Sequence, residues 1–89
     1  MTVREILQYR NDDLVISHVS GVGLGFVAAN VLLQVRGSPL MYCQPTKLEL
    51  TANQYMAILE DYVRDNPKAA DNPMPPVLLV ALQRVFPCR

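Results

Sequence analysis

Residues 14–35 read LVISHVSGVGLGFVAANVLLQV, a run of 22 residues that contains no Asp, Glu, Lys or Arg. Asn11-Asp12-Asp13 precedes this run and offers a helix N-cap, and Gly37-Ser38-Pro39 follows it as a helix stop. Together these signals predict one helix over residues 13–35. At about 1.5 Å per residue, such a helix is long enough to cross a bilayer or to run through a helical bundle.

The composition of this run separates the two interpretations. The flanks lack aromatic anchors, with two aspartates on one side and only Arg36 on the other. Five polar residues inside the run would each cost free energy in hydrocarbon: Ser17, His18, Ser20, Asn30 and Gln34. We therefore predict no membrane insertion, a central bundle helix covered by protein, and a packed, hydrogen-bonded role for His18.

A stripe of small residues runs along the same helix at four-residue spacing: Ser17, Gly21, Gly25 and Ala29. Such a stripe lets another helix backbone approach closely. Each glycine costs an isolated helix about 1 kcal/mol, so close packing has to offset that cost. The first helix, the last helix and a second copy of the chain all stay open as the packing partner.

The remaining segments predict three more helices in a single domain, residues 1–89. Capping-box spacing opens the first and third helices, and prolines frame the fourth. We expect these helices over about residues 3–10, 51–66 and 75–86, with a connector at 37–50. The predicted fold class is all-α, a compact four-helix bundle.

Charge and motif content argue against several classes of function. Eight basic residues balance eight acidic ones, so the electrostatic attraction that drives nucleic-acid binding is missing. Gly21-Val22-Gly23 is a GxG without a preceding strand, and the cysteines lack zinc-site spacing. We predict no nucleic-acid partner, no metal, no cofactor and no enzymatic activity.

Two cysteines, Cys43 and Cys88, leave two alternatives open. An even count in a short chain is typical of one disulfide in an oxidising compartment, whereas a cytosolic protein would keep two free thiols. A bridge would contribute roughly 4 kcal/mol on the chain-entropy model, a large share of a small domain's stability.

The second half of the chain carries a resemblance in the order of its motifs. These are Cys43-Gln44-Pro45, Thr51, Gln54, Tyr62, Asn66-Pro67, Ala81-Leu82 and Phe86-Pro87-Cys88. In this order they resemble the Rap/Tai-type immunity proteins, which protect bacteria against type VI secretion amidase effectors. The earlier Val19-Ser20-Gly21-Val22 resembles that family's Tyr-Ile-x-Gly-Val, with His18 at the tyrosine position. The chain departs from the family in lacking an additional cysteine pair and in a Cys43-to-Gln54 segment about two residues longer.

The resemblance implies a bundle with Cys43 and Cys88 bridged, working in the periplasm, although no signal-peptide pattern is seen at the N-terminus. It implies binding to a cognate amidase, a papain-like cysteine peptidase, with occlusion of its active-site cleft. It also implies a homodimer. The alternative is a small, disulfide-stapled periplasmic chaperone or adaptor that binds many clients weakly.

A proline-rich stretch between the third and fourth helices is the predicted partner-binding element, because prolines reduce the entropy lost on binding. Its candidate contacts are Asp65, Asn66, Lys68, Asp71, Asn72 and Met74. The alternative is a plain interhelical loop. A second candidate is Leu40-Met41-Tyr42 in the connector, which either contacts a partner or covers the core.

Overall fold

The computed structural model describes residues 1–45 and 48–89. Over these residues the chain forms four α-helices and one 3₁₀ helix: α1 (Val3–Gln8), α2 (Asp13–Val35), α3 (Ala52–Asp65), the 3₁₀ helix Pro67–Asp71, and α4 (Met74–Val85). The only β pairing within the described residues is one isolated bridge between Thr2 and Pro73. The prediction of an all-α helical bundle is confirmed.

The helix ends follow the local sequence signals. Thr51 accepts a hydrogen bond from the Gln54 amide at 3.2 Å, and the Gln54 side chain accepts one from the Thr51 amide at 2.8 Å. This is the predicted capping box, and Thr2 and Glu5 form the same arrangement at α1. At the end of α2, Gly37 has a φ of +69°, and the Ser38 amide donates to the Leu33 carbonyl at 2.9 Å. That left-handed position explains why glycine follows α2.

The centre of the core is α3. Its residues Tyr55, Met56 and Leu59 are buried, and α3 contacts α1, α2, α4 and the 3₁₀ helix. The side chains from the other helices that are 0 % exposed are Val3, Ile6, Val19, Met74, Leu78 and Leu82.

Ion pairs at the surface also involve α3. Glu60 pairs with Arg10, and Asp61 with Arg64 at 3.2 Å, instead of the Glu60–Arg64 pair that helix spacing favours.

The expectation that α2 is the central helix is wrong. Only Val15, Val19 and Gly23 of its 23 residues are buried, and they pack toward α3. Its apolar residues surround the helix, so one face packs and the opposite face stays exposed. His18 is also exposed, contrary to its predicted packed role. Of the helices described, α2 alone has the length and apolar composition that a membrane span requires.

The small-residue stripe on α2 is not covered by another helix of the same chain. A methyl group added at Gly21 or Gly25 would meet no described atom within 4 Å, and Ser17 is exposed. Neither the first nor the last helix therefore packs there. Close approach occurs instead at Gly23, where an added methyl group would overlap the Tyr55 ring.

Hydrogen bonds and a disulfide hold the connector against the bundle. The Asn30 side chain accepts from the Met41 amide at 2.9 Å and donates to the Tyr42 carbonyl at 3.0 Å. Cys43 and Cys88 form a disulfide with a Cα–Cα distance of 5.0 Å. The bridge that the cysteine count permits is thus formed, and it joins the connector to the C-terminal end of the chain.

Candidate protein-binding site

The chain between α3 and α4 is a short ordered segment that contacts α1 and α3. We name residues 66–73 the α3–α4 segment. Pro67 opens its 3₁₀ helix, where its missing amide proton costs no helical hydrogen bond. Ala70 is buried and anchors the segment, whereas Lys68 and Asn72 are exposed. The predicted proline-rich loop is therefore a short helix followed by two extended residues.

The N-terminus of the chain fixes the far end of this segment. The Val3 amide donates to the Asn72 carbonyl at 3.1 Å, and the Met74 amide donates to the Met1 carbonyl at 2.9 Å. These bonds lie on either side of the Thr2–Pro73 bridge. The backbone at residues 72–74 is consequently held by hydrogen bonds as in a short antiparallel pair, which limits its freedom to rearrange.

Ion pairs hold two of the predicted contact residues. Arg4 donates to Asp71 at 3.0 Å, and this hydrogen bond to the Asp71 carboxylate raises the pKa of Arg4. Arg84 pairs with Asp65 and lies over the Tyr62 ring, 6.0 Å from its centre. The hydrogen bond from Arg84 lowers the pKa of Asp65. Lys68 makes no ion pair with the described residues, so its charge is available to a partner.

A shallow recess of about 320 Å³ borders the segment on the side of α4. Asn72 and Pro73 form one wall, and Val77 and Val80 of α4 form another. Val80 is 45 % exposed, although most apolar residues of α4 are buried. The recess places an apolar contact directly beside polar ones, which is the mixed chemistry typical of protein interfaces.

The structure brings together five of the six predicted contact residues and removes one. Asp65, Asn66, Lys68, Asp71 and Asn72 are exposed on or beside the segment. Met74 is 0 % exposed, because α4 begins there and turns its side chain into the core. The prediction that Met74 contacts a partner is therefore wrong. Val80 was not predicted to line the site. Its position off the buried stripe of α4, unusual for an apolar residue, could have indicated it.

The second predicted candidate, Leu40-Met41-Tyr42, divides between core and surface. Tyr42 is 1 % exposed, so it covers the core. Its burial raises its pKa to about 12, and its hydroxyl has no hydrogen-bond partner among the described residues. Leu40 lines a groove of about 630 Å³ between the connector and α2, together with Leu24 and Val31. This groove has about twice the volume of the recess beside the α3–α4 segment.

Apolar side chains make up much of the lining of both depressions, and Glu49 is the only carboxylate among their described lining residues. The described residues contain no group of three or more His, Cys, Asp or Glu side chains placed to hold a metal. Both cysteines are joined in the disulfide, so no described thiol is free to act as a nucleophile. What the arrangement offers is contact area with fixed polar and charged groups.

The comparisons with known proteins leave the family open. The sequence matches no family model and no curated protein, and the fold matches no solved structure.

Proposed function

We propose that the chain is an immunity protein that binds a cognate peptidoglycan amidase, a papain-like cysteine peptidase of a type VI secretion system, and occludes its active-site cleft. The observation that carries the proposal is the α3–α4 segment, an exposed segment whose backbone is held by hydrogen bonds at both ends. The choice of an amidase as the partner comes from the resemblance in motif order over residues 43–88.

An α3–α4 segment already held in one conformation suits an inhibitor for an energetic reason. Ordering a flexible loop on binding costs free energy that reduces affinity, and a loop already held in its bound shape avoids most of that cost. Here the 3₁₀ helix, the bonds from Val3 and Met74, and the ion pair to Asp71 restrict the segment before any partner arrives. A rigid element of this kind can enter a cleft with little rearrangement.

The chemistry of the surface supports contact with a protein. Lys68 offers a positive charge that forms no ion pair with the described residues, and Asn66 and Asn72 offer amide groups on the same segment. The recess beside Val80 offers a place for one apolar side chain of the partner. A small apolar centre with a polar rim is the usual composition of such interfaces.

The disulfide supports a periplasmic location for this activity. Cys43 and Cys88 are both exposed, so their bridge persists only where the environment is oxidising. The amidase would act on peptidoglycan in that same compartment. The proposal therefore places inhibitor and effector together.

Binding and inhibition measured together test the proposal. The oxidised protein is titrated against the product of the adjacent gene, the candidate amidase, with calorimetry for complex formation and a peptidoglycan cleavage assay for activity. We expect a dissociation constant of about 1 nM and loss of cleavage at equal concentrations. Lys68→Glu should weaken binding at least about tenfold, because it reverses the charge of this side chain on the α3–α4 segment.

A matched control separates the segment from net charge. Arg89→Glu makes the same change in charge at the exposed C-terminus, and it should leave the dissociation constant within about twofold. Continued hydrolysis in the presence of excess protein contradicts the proposal. Suppression of aggregation of unrelated unfolded clients, without inhibition, would favour the chaperone instead.

A further inference from the structure

The groove between the connector and α2, which we name the connector groove, is long and narrow. Its α2 wall is one stripe of residues at three- and four-residue spacing: Ser20, Leu24, Val27, Val31 and Gln34. At 1.5 Å per residue this stripe extends about 21 Å along the helix. A volume of about 630 Å³ over that length corresponds to a mean cross-section of about 30 Å².

The wall that faces α2 comes from the connector and the start of α3. Its aliphatic side chains include Leu40, Leu48 and Leu50. Glu49 is the only charged residue among the described lining residues. The connector groove therefore combines two apolar walls with a single negative charge.

Two of the lining residues each carry a polar atom that lacks a hydrogen bond. The Tyr42 hydroxyl and the Gln44 Oε1 atom are both closed to solvent, and neither has a partner among the described residues. Buried polar atoms in folded proteins are nearly always paired, so two of them beside one groove require an explanation. A ligand hydroxyl supplies what both lack, because it can accept from Tyr42 and donate to Gln44.

We propose that the connector groove binds a neutral single-chain lipid with a hydroxyl-bearing head group, of the monoacylglycerol class. The acyl chain lies along the α2 stripe, and the head group bonds to Tyr42 and Gln44. This site is separate from the α3–α4 segment, and it does not depend on the proposed function.

The dimensions of the connector groove favour an alkyl chain over a peptide. A helix is at least about 10 Å across with its side chains and needs a cross-section of roughly 80 Å². An extended peptide gains its affinity from backbone hydrogen bonds to a strand edge, and the described residues of the connector form no strand. A single alkyl chain needs neither the width nor the edge.

The charge of the connector groove selects the head group. A carboxylate or phosphate beside Glu49 would place like charges together in mostly apolar surroundings. Hydroxyl groups avoid that repulsion, and they can donate to the Glu49 carboxylate as well as to Gln44. The polar groups along the wall thus match an uncharged, hydroxyl-bearing head.

The head group reaches its two partners by displacing an exposed side chain of the wall. Leu48 is 36 % exposed, and its carbonyl accepts a hydrogen bond from the Gln44 amide group, so the two residues are neighbours. The connector backbone meanwhile stays tied to Asn30 and, through the disulfide, to Cys88. Binding consequently needs side-chain movement and no unfolding.

Calorimetric titration of the oxidised protein with 1-monolauroylglycerol, below the concentration at which this lipid aggregates, tests the site. We expect a dissociation constant of about 10 μM or lower. Laurate, which has the same chain and a carboxylate head, should bind at least about tenfold more weakly. Tyr42→Phe keeps the ring and removes the hydroxyl, so it should weaken binding of the monoglyceride about tenfold.

A matched pair of variants separates the groove from the exposed remainder of α2. Val31→Glu puts a charge into the α2 wall and should weaken binding at least about tenfold. Val35→Glu makes the same change one turn later, at a residue that is 79 % exposed and outside the lining, and it should leave binding within about twofold. Both positions are exposed, so both variants should keep the helix content of the wild type.

Three results would overturn the proposal. The first is a wild-type protein that does not bind the monoglyceride. The second is equal binding by the Val31→Glu and Val35→Glu variants, which would show that the lipid adheres to α2 without entering the connector groove. The third is tighter binding of laurate than of the monoglyceride, which would assign the groove to fatty acids instead.

Discussion

Helices α2 and α3 lie against each other, yet they hold opposite positions in the bundle. The longer helix α2 is the more apolar by far, and it buries only Val15, Val19 and Gly23. The shorter helix α3 is polar on one side, and it contacts every other helix. Its buried residues, Ala52, Tyr55, Met56 and Leu59, follow the spacing of one helical stripe.

The difference shows that periodicity, and not total hydrophobicity, decides which helix becomes the centre of a small bundle. A stripe on α3 has one way to face the core, and its polar side tolerates solvent. The apolar residues of α2 surround the helix, so one chain of 89 residues covers one side and leaves the other exposed. The uncovered side is then the natural place to look for a partner.

Loss of the disulfide should have the largest effect on this arrangement. The bridge ties the connector, which links α2 to α3, to Cys88 near the end of the chain. Cys43→Ser combined with Cys88→Ser should lower the free energy of unfolding by about 4 kcal/mol, measured by urea denaturation. Hydrogen exchange should rise first at residues 30–42, where Asn30 ties α2 to the connector. The wild type in reducing agent should behave in the same way. A variant as stable as the wild type contradicts this account of the connector.

Truncation of one leucine on each helix compares them directly. Leu59→Ala in α3 removes a side chain that is 0 % exposed and should cost about 3 kcal/mol. Leu24→Ala in α2 removes one that is 69 % exposed and should cost less than about 0.5 kcal/mol in the monomer. Urea denaturation at low protein concentration measures both. Equal costs would show that α2 is packed within its own chain.

Two glycines of α2 should respond with opposite signs. Gly23→Ala places a methyl group against the Tyr55 ring and should destabilise the monomer by about 1–2 kcal/mol. Gly21→Ala meets open space and should stabilise the monomer by up to about 1 kcal/mol through helix propensity. Thermal unfolding of dilute protein gives both values. Destabilisation by Gly21→Ala would mean that a contact within the chain covers that side of α2.

A further, smaller effect is expected at Tyr42, a buried residue of the connector that follows α2 in the sequence. Its pKa is raised by burial from an ordinary value near 10 to about 12, so the neutral form is favoured in the folded state. The preference of the folded state for the neutral phenol is therefore fully present below pH 10. It is lost as pH rises toward 12, because the phenol then ionises and the folded state loses stability. Tyr42→Phe should weaken this alkaline loss and stabilise the protein by about 1 kcal/mol at neutral pH, because it removes a buried hydroxyl without a described partner. An unchanged alkaline profile would show that Tyr42 is not the titrating group.

Local sequence signals predicted where the helices begin and end. Which side chains of α2 are exposed depends on how the helices pack, and no local signal in the sequence indicates that. The capping boxes at Thr2 and Thr51, and the glycine after α2, carry their own hydrogen bonds and could be predicted. The exposure of His18 could not, because it depends on which side of an apolar helix meets α3. The small-residue stripe predicted a close helix contact, but the described chain supplies none.

The candidate site was predicted in place but not in form. Prolines predicted a stiff segment between α3 and α4, and five of its polar residues are exposed there. The burial of Met74 escaped prediction, because prolines at 75 and 76 suggested that α4 begins after it. The pairing of the segment with Met1 and Val3 was also out of reach, since it joins residues about 70 positions apart without a sequence signal.

Hydrogen exchange on the protein alone and in complex with the cognate amidase tests the central claim most directly. We predict that the amidase adds protection at residues 66–72, while protection of α2 changes little. Added protection confined to α2 and the connector, with none at residues 66–72, would contradict the claim that the α3–α4 segment binds the effector.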